Sequence, residues 1–236
     1  MTKYNLLGAN ILREATKLPT LTKVRSDIEK LKNKILNKEL TPKAITDMVT
    51  KVGVKHSFEV TYDTSSKTDS GTMMMNAFFD PEEDADDEIS IEVQLIFNNK
   101  DKTIVLSNEG WTWLVNTIIS SLTHEMIHQK QYRARGHIKG KQFTKFTSSE
   151  KNVQGAQGYL GNTDEIEAYG YNIASHLLLN FSFDDATKFL RNPSKDLLKH
   201  SPDLFGYMVA FQMDTNHPVI KRLLKKTFFY LNKLKS

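Results

Sequence analysis

The 236-residue chain contains no cysteine. That absence removes disulfides, thiolate nucleophiles and Cys-based zinc sites together, so any metal must be held by histidine and carboxylate. No stretch approaches 18 uncharged apolar residues, and the first thirty residues carry no continuous apolar run behind a basic start. Neither a transmembrane helix nor a signal peptide is therefore expected, and a soluble, cytoplasmic chain is the reading. Proline is scarce at 6, and Gly110 to Arg135 has none; Pro193, Pro202 and Pro218 instead punctuate the last third. A hydrophobic content of 39% supplies one sizeable core. A single domain over 1–236 is expected, with a helical part at 1–53, a core at 54–180 and a second helical part at 181–236.

The net charge of +4 is small, but the charges are unevenly placed. Asp80 to Glu88 holds seven acids in nine positions, whereas Lys130 to Lys145 holds six Lys or Arg and no acid. Both read as solvated loops, because like charges repel into water. The basic block admits an acidic partner or nucleic acid near the helix that precedes it, but a nucleic-acid role is not the favoured reading.

Hydrophobic periodicity gives an α+β order. Ile28, Leu31, Ile35 and Leu36 share a helical stripe in a segment running from Asp27 to Leu40, and Thr41-Pro42 opens a second helix that Gly53 closes. From Lys55 the period becomes two. Strands are expected around Phe58, Val60 and Tyr62, at Met73 to Phe79, at Ile89 to Phe97 and at Thr103 to Leu106. A long helix runs from Gly110 to Arg135, with Ser107 or Asn108 as N-cap and Gly136 as stop. Further helices are expected at Asp164 to Leu179, Phe183 to Leu190, Lys195 to Phe211 as a pair, and Val219 to Leu234.

The long helix carries His124-Glu125-Met126-Ile127-His128. At about 100° per residue, two histidines four apart sit about 40° from each other on one face, where both imidazoles reach one tetrahedral ion. Glu125 projects beside them, placed to take a proton from a metal-activated water. The pair lies about 140° from the centre of the apolar stripe of Trp111, Leu114, Val115, Ile118, Ile119, Leu122 and Met126, so two histidines merely filling a core face fit poorly.

This motif, with strands before it and helices after it, resembles the zincin metallopeptidases. The resemblance implies a small antiparallel or mixed sheet packed on a long active-site helix, with Ile89 to Phe97 or the short strand after it as the edge offered to an extended peptide. It also implies Zn2+ as cofactor, a protein or peptide as substrate, and hydrolysis with Glu125 as general base.

Two histidines leave a catalytic zinc site one protein ligand short. Glu165-Ile166-Glu167-Ala168, 37 residues past His128, looks like the Glu-x-x-Ala element of small gluzincins, including ImmA-like, HtpX-like and virus-encoded relatives, in which the first Glu is a ligand. Tyr169 stands where those proteins carry Asp or Asn. The two glutamates are separated by about 200° on a helix, so at most one faces the metal, and Glu165 lies nearer the buried stripe of Ile166, Tyr169, Ile173 and Leu177. Glu165 is the favoured third ligand and Glu167 the alternative. His137 is the other competitor, since Gly136-His137-Ile138-Lys139-Gly140 loosely resembles an element of SprT-like, DNA-directed proteases. Tyr159, Tyr169 and Tyr171 are candidates to steady an oxyanion. A zincin-like scaffold that binds a partner without turnover is the reading from a different class.

Overall fold

The computed structural model describes residues 19–85, 89–138, 153–194 and 200–235. They belong to two compact units, residues 1–137 and 138–236. Lys139, Lys141 and Lys145 of the basic block, Asp86, Asp87 and Glu88 of the acidic run, and the start of the helix pair expected from Lys195 lie outside the described residues.

The first unit opens with α1 (Pro19–Glu29) and the short α2 (Lys32–Ile35), followed by β1 (Glu39–Leu40). The stripe expected to run unbroken from Asp27 to Leu40 is interrupted: Asn37 sits at φ 56° and Leu40 pairs with Ile104. Next, α3 (Pro42–Lys55) starts where the Thr41 hydroxyl accepts from the Ala44 N–H, with Pro42 at the first helical position. Gly53 is not its last residue but lies inside its final turn, where an added Cβ would come within 2.5 Å of the Phe58 carbonyl oxygen. Only glycine lets the chain turn back so tightly into the sheet.

Three strands form that sheet, β2 (Glu59–Ser65), β3 (Met73–Phe79) and β4 (Ile91–Asn98), in the order β2-β4-β3. β4 pairs parallel with β2 and antiparallel with β3, so the sheet is mixed. The strand expected as an edge is thus the centre. Val93, Leu95 and Phe97 are fully buried, and a strand with that much apolar surface gains most where both of its backbone rims are paired. The edges are β2 and β3. The short strand β5 (Ile104–Val105) pairs with β1 in a separate two-stranded ladder.

Between β3 and β4, Pro81–Ala85 forms a single helical turn, α4, entered through the Asp80 carboxylate, which accepts from the Glu82 N–H. The acidic run is therefore not wholly a solvated loop. Carboxylates favour a helix N-terminus, and one of them, Asp84, is buried.

Helix α5 (Asn108–Ala134) packs on β3, β4 and α1. Ser107 caps it by accepting from the Gly110 N–H, and Gly136 at φ 70° follows its end. The Trp111 indole N–H donates to Glu29 and the Phe79 ring meets Tyr132 edge-on, fixing the two ends of α5 to α1 and β3.

The second unit is helical in its described residues: α6 (Val153–Leu160), α7 (Thr163–Asn180), α8 (Phe183–Arg191), α9 (Pro202–Ala210) and α10 (Pro218–Leu234). Helices α7 and α10 form its most extensive contact, and Gly170 permits it, since a Cβ there would lie 2.9 Å from the Lys226 Cβ. Tyr230 and Leu223 on α10 and Leu177 and Ile173 on α7 are buried. No described helix is long and apolar enough to cross a membrane.

Candidate metal centre

Every turn of the second half of α5 buries side chains over a broad arc: Leu122, Thr123, His124, Ile127, His128, Gln131 and Tyr132. His124 is 6% exposed and His128 7%. The histidines lie off the apolar stripe, as the wheel requires, yet inside the protein. Buried imidazoles need partners for their nitrogens. His128 Nδ1 donates to Gln131 Oε1 at 2.9 Å, which puts its proton on Nδ1 and turns Nε2 outward as an acceptor. The Nε2 atoms of His128 and His124 are 3.0 Å apart. Two nitrogens bound at ~2.0–2.1 Å to a tetrahedral ion stand about 3.3 Å from each other, so this pair is set for a shared ion. Glu125, half-buried, occupies the position between them in sequence and a different face of the helix.

The carboxylates of α7 divide as their phase demands. Asn162 caps the helix by accepting from the Asp164 N–H at 2.9 Å, which fixes where the first turn begins. Glu165 is then 7% exposed, between buried Ile166 and the Ala168 and Asn172 positions one and two turns on. Glu167 is held by the Tyr230 hydroxyl, which donates to it, and by Lys226 Nζ at 2.5 Å. It serves the α7–α10 contact.

His124 and His128 in the first unit and Glu165 in the second are each buried. No protein-family model, curated protein or solved structure matches the chain.

The competitors are placed elsewhere. His137 is exposed, at φ 62°, with its ring stacked on Tyr132 at 5.3 Å. Tyr171 is buried in its own unit edge-on to Tyr230, and burial raises its hydroxyl pKa. Tyr169 meets Tyr207 edge-on at 5.3 Å. Two further histidines have structural surroundings: His56 bonds Asp27 at 2.9 Å, and His217 caps α10.

Two residues, one on the histidine helix and one beside it, escape a motif search. Gln131 stands three residues after His128, and that spacing, which places it on the same side of the helix, was the available signal. Asp84 hid within a charge run. Its carboxylate accepts from Arg133 Nε at 3.0 Å and Nη2 at 2.6 Å, from Gln129 at 2.7 Å and from Ser90 at 3.1 Å. Burial pushes the Asp84 pKa up, but the Arg133 and Gln129 hydrogen bonds, the Arg133 charge and Ser90 outweigh it and hold the carboxyl below its ordinary value. Arg133 and Gln129 are one turn apart on α5, so α4 grips the helix next to His128.

Proposed function

We propose that the chain is a zinc-dependent peptidase in which His124, His128 and Glu165 hold the ion and Glu125 is the general base. Two buried imidazoles one turn apart on α5 carry this reading, with the buried Glu165 of α7 as the third donor. A His-His-Glu set in a protein without cysteine suits zinc better than softer or all-oxygen ions. A bound zinc ion supplies Lewis acidity and a water nucleophile at neutral pH. The protein's own part is positional. Gln131 locks the His128 tautomer, the Asp84 grip steadies the turn that bears it, and Glu125 takes the proton of the attacking water and returns it to the leaving amine. The donor set is that of the gluzincins, and a protein or peptide is the substrate.

Metal analysis of the purified chain tests the assignment together with hydrolysis of an unfolded protein substrate. One zinc per chain is expected, with hydrolysis abolished by a chelator and restored by zinc. A chain that retains no zinc overturns the assignment; one that holds zinc but never cleaves supports a binding protein built on the same site.

A further inference from the structure

The second unit contains a buried hydroxyl that its own packing leaves unused. Tyr207 on α9 is 1% exposed, and its Oη has no hydrogen-bond partner. The ring is well accommodated: Tyr169 meets it edge-on at 5.3 Å and Phe211 stacks beside it at 6.4 Å. Phenylalanine would make the same contacts without an unsatisfied polar atom, and burying such an atom costs stability. A tyrosine at this position is therefore explained by something the hydroxyl does, not by what the ring fills.

Its surroundings say where that hydroxyl acts. Tyr169 follows Glu165 by one turn on α7, and α7 and α9 are packed together. A tyrosine hydroxyl can donate one hydrogen bond, and the α7 helix on which the Tyr207 ring packs carries Glu165 one turn before Tyr169.

Resting on the reading of Glu165 as a ligand, we propose that Tyr207 is the positioning residue of that carboxylate, its O–H donating to Glu165 when the carboxylate holds a metal ion. A ligand carboxylate has one oxygen to spare, and a hydrogen bond to that oxygen fixes which lone pair faces the ion. Tyr207 lies 42 residues beyond Glu165 in the chain, outside any motif, so only the packing of α9 on α7 reveals it.

The test uses the full chain and zinc or cobalt(II) alone, comparing wild type, Tyr207→Phe and Glu165→Ala. Zinc affinity of Tyr207→Phe should fall roughly 10- to 100-fold, the scale on which outer partners of metal ligands act. The visible spectrum of its cobalt(II) form should shift, while the melting temperature of its metal-free form stays the same or rises. Unchanged zinc affinity and cobalt spectrum in Tyr207→Phe, with zinc lost from Glu165→Ala, overturn the role of Tyr207 and leave the metal site intact. A metal-free variant that melts well below wild type while binding zinc normally also overturns it, showing the hydroxyl to be a packing element. If wild type binds neither ion, the site reading fails and takes this inference with it.

Discussion

At the scale of single residues, the chemistry rests on groups that differ by one atom or one turn. Glu125→Gln keeps the size of the side chain and loses the base. The variant should retain zinc by metal analysis while peptide hydrolysis falls about 100-fold or more; near wild-type turnover would remove Glu125 from the mechanism. The ligand assignment separates just as cleanly. Of Glu165→Ala, Glu167→Ala and His137→Ala, only the first should empty the site during dialysis against a mild chelator, because Glu167 is occupied with Lys226 and Tyr230, and His137 is exposed on Tyr132. Zinc loss from His137→Ala alone would install a three-histidine site. The His-Glu-x-x-His segment was legible because its chemistry is local, four residues on one helix. Glu165 was singled out by the likeness of Glu165-Ile166-Glu167-Ala168 to a gluzincin element and by the phase of α7, whose start is set by Asn162. Tyr207 was not legible at all, since nothing in its neighbourhood along the chain distinguishes it from a core tyrosine.

At the scale of elements, two contacts set how the helices are held. Asp84 joins α4 to α5 through a carboxylate whose folded pKa is lowered, so the folded state prefers it ionised. Its stabilisation is complete above the ordinary carboxylate pKa of about 3.9 and disappears as the pH falls through the lower folded value. Asp84→Asn should cost about 1–3 kcal/mol at neutral pH, with Arg133 half in solvent, and should flatten the acid limb of the stability curve. Denaturant titrations from pH 7 to pH 2 measure both effects, and an acid limb as steep as wild type would remove Asp84 as its source. Gly170→Ala tests the α7–α10 approach. The gain in helix propensity of up to about 1 kcal/mol should be outweighed by the clash with Lys226, for a net loss of about 1–2 kcal/mol in thermal or denaturant unfolding. The strands Met73–Phe79 and Ile104–Val105 and the caps Ser107 and Thr41 were readable from alternation and capping chemistry. Strand order was not. Alternation shows which side chains face inward but not which backbone rim finds a partner, and so β4, one of the two strands considered for the edge, turned out to be central.

At the scale of the whole molecule, the α+β class and the helical last third follow from periodicity, whereas the division at residue 137 leaves no mark in composition. Its boundary falls where Gly136 ends a helix, a signal that also occurs at helix ends inside domains. The central position of β4 has a consequence for how the protein is made. Strands β2 and β3 are neighbours in the chain yet never pair with each other, so no hairpin protects either of them until Ile91 to Asn98 has been synthesised. During that interval Met73 to Phe79, an uncharged and β-prone run, has both rims open, which is the pattern of a segment that aggregates. Directly behind it come the acids of Asp80 to Glu88, and charges flanking such a strand act as gatekeepers. Neutralising Glu82 and Glu83 while sparing Asp84 should therefore lower the soluble yield, most of all for fragments ending at residue 88. Equal solubility of those fragments with and without the charges would mean that the acidic run serves α4 and Asp84 alone. On this account the acidic run works twice, first as a solubility tag for a nascent strand and later, through Asp84, as the clamp beside His128.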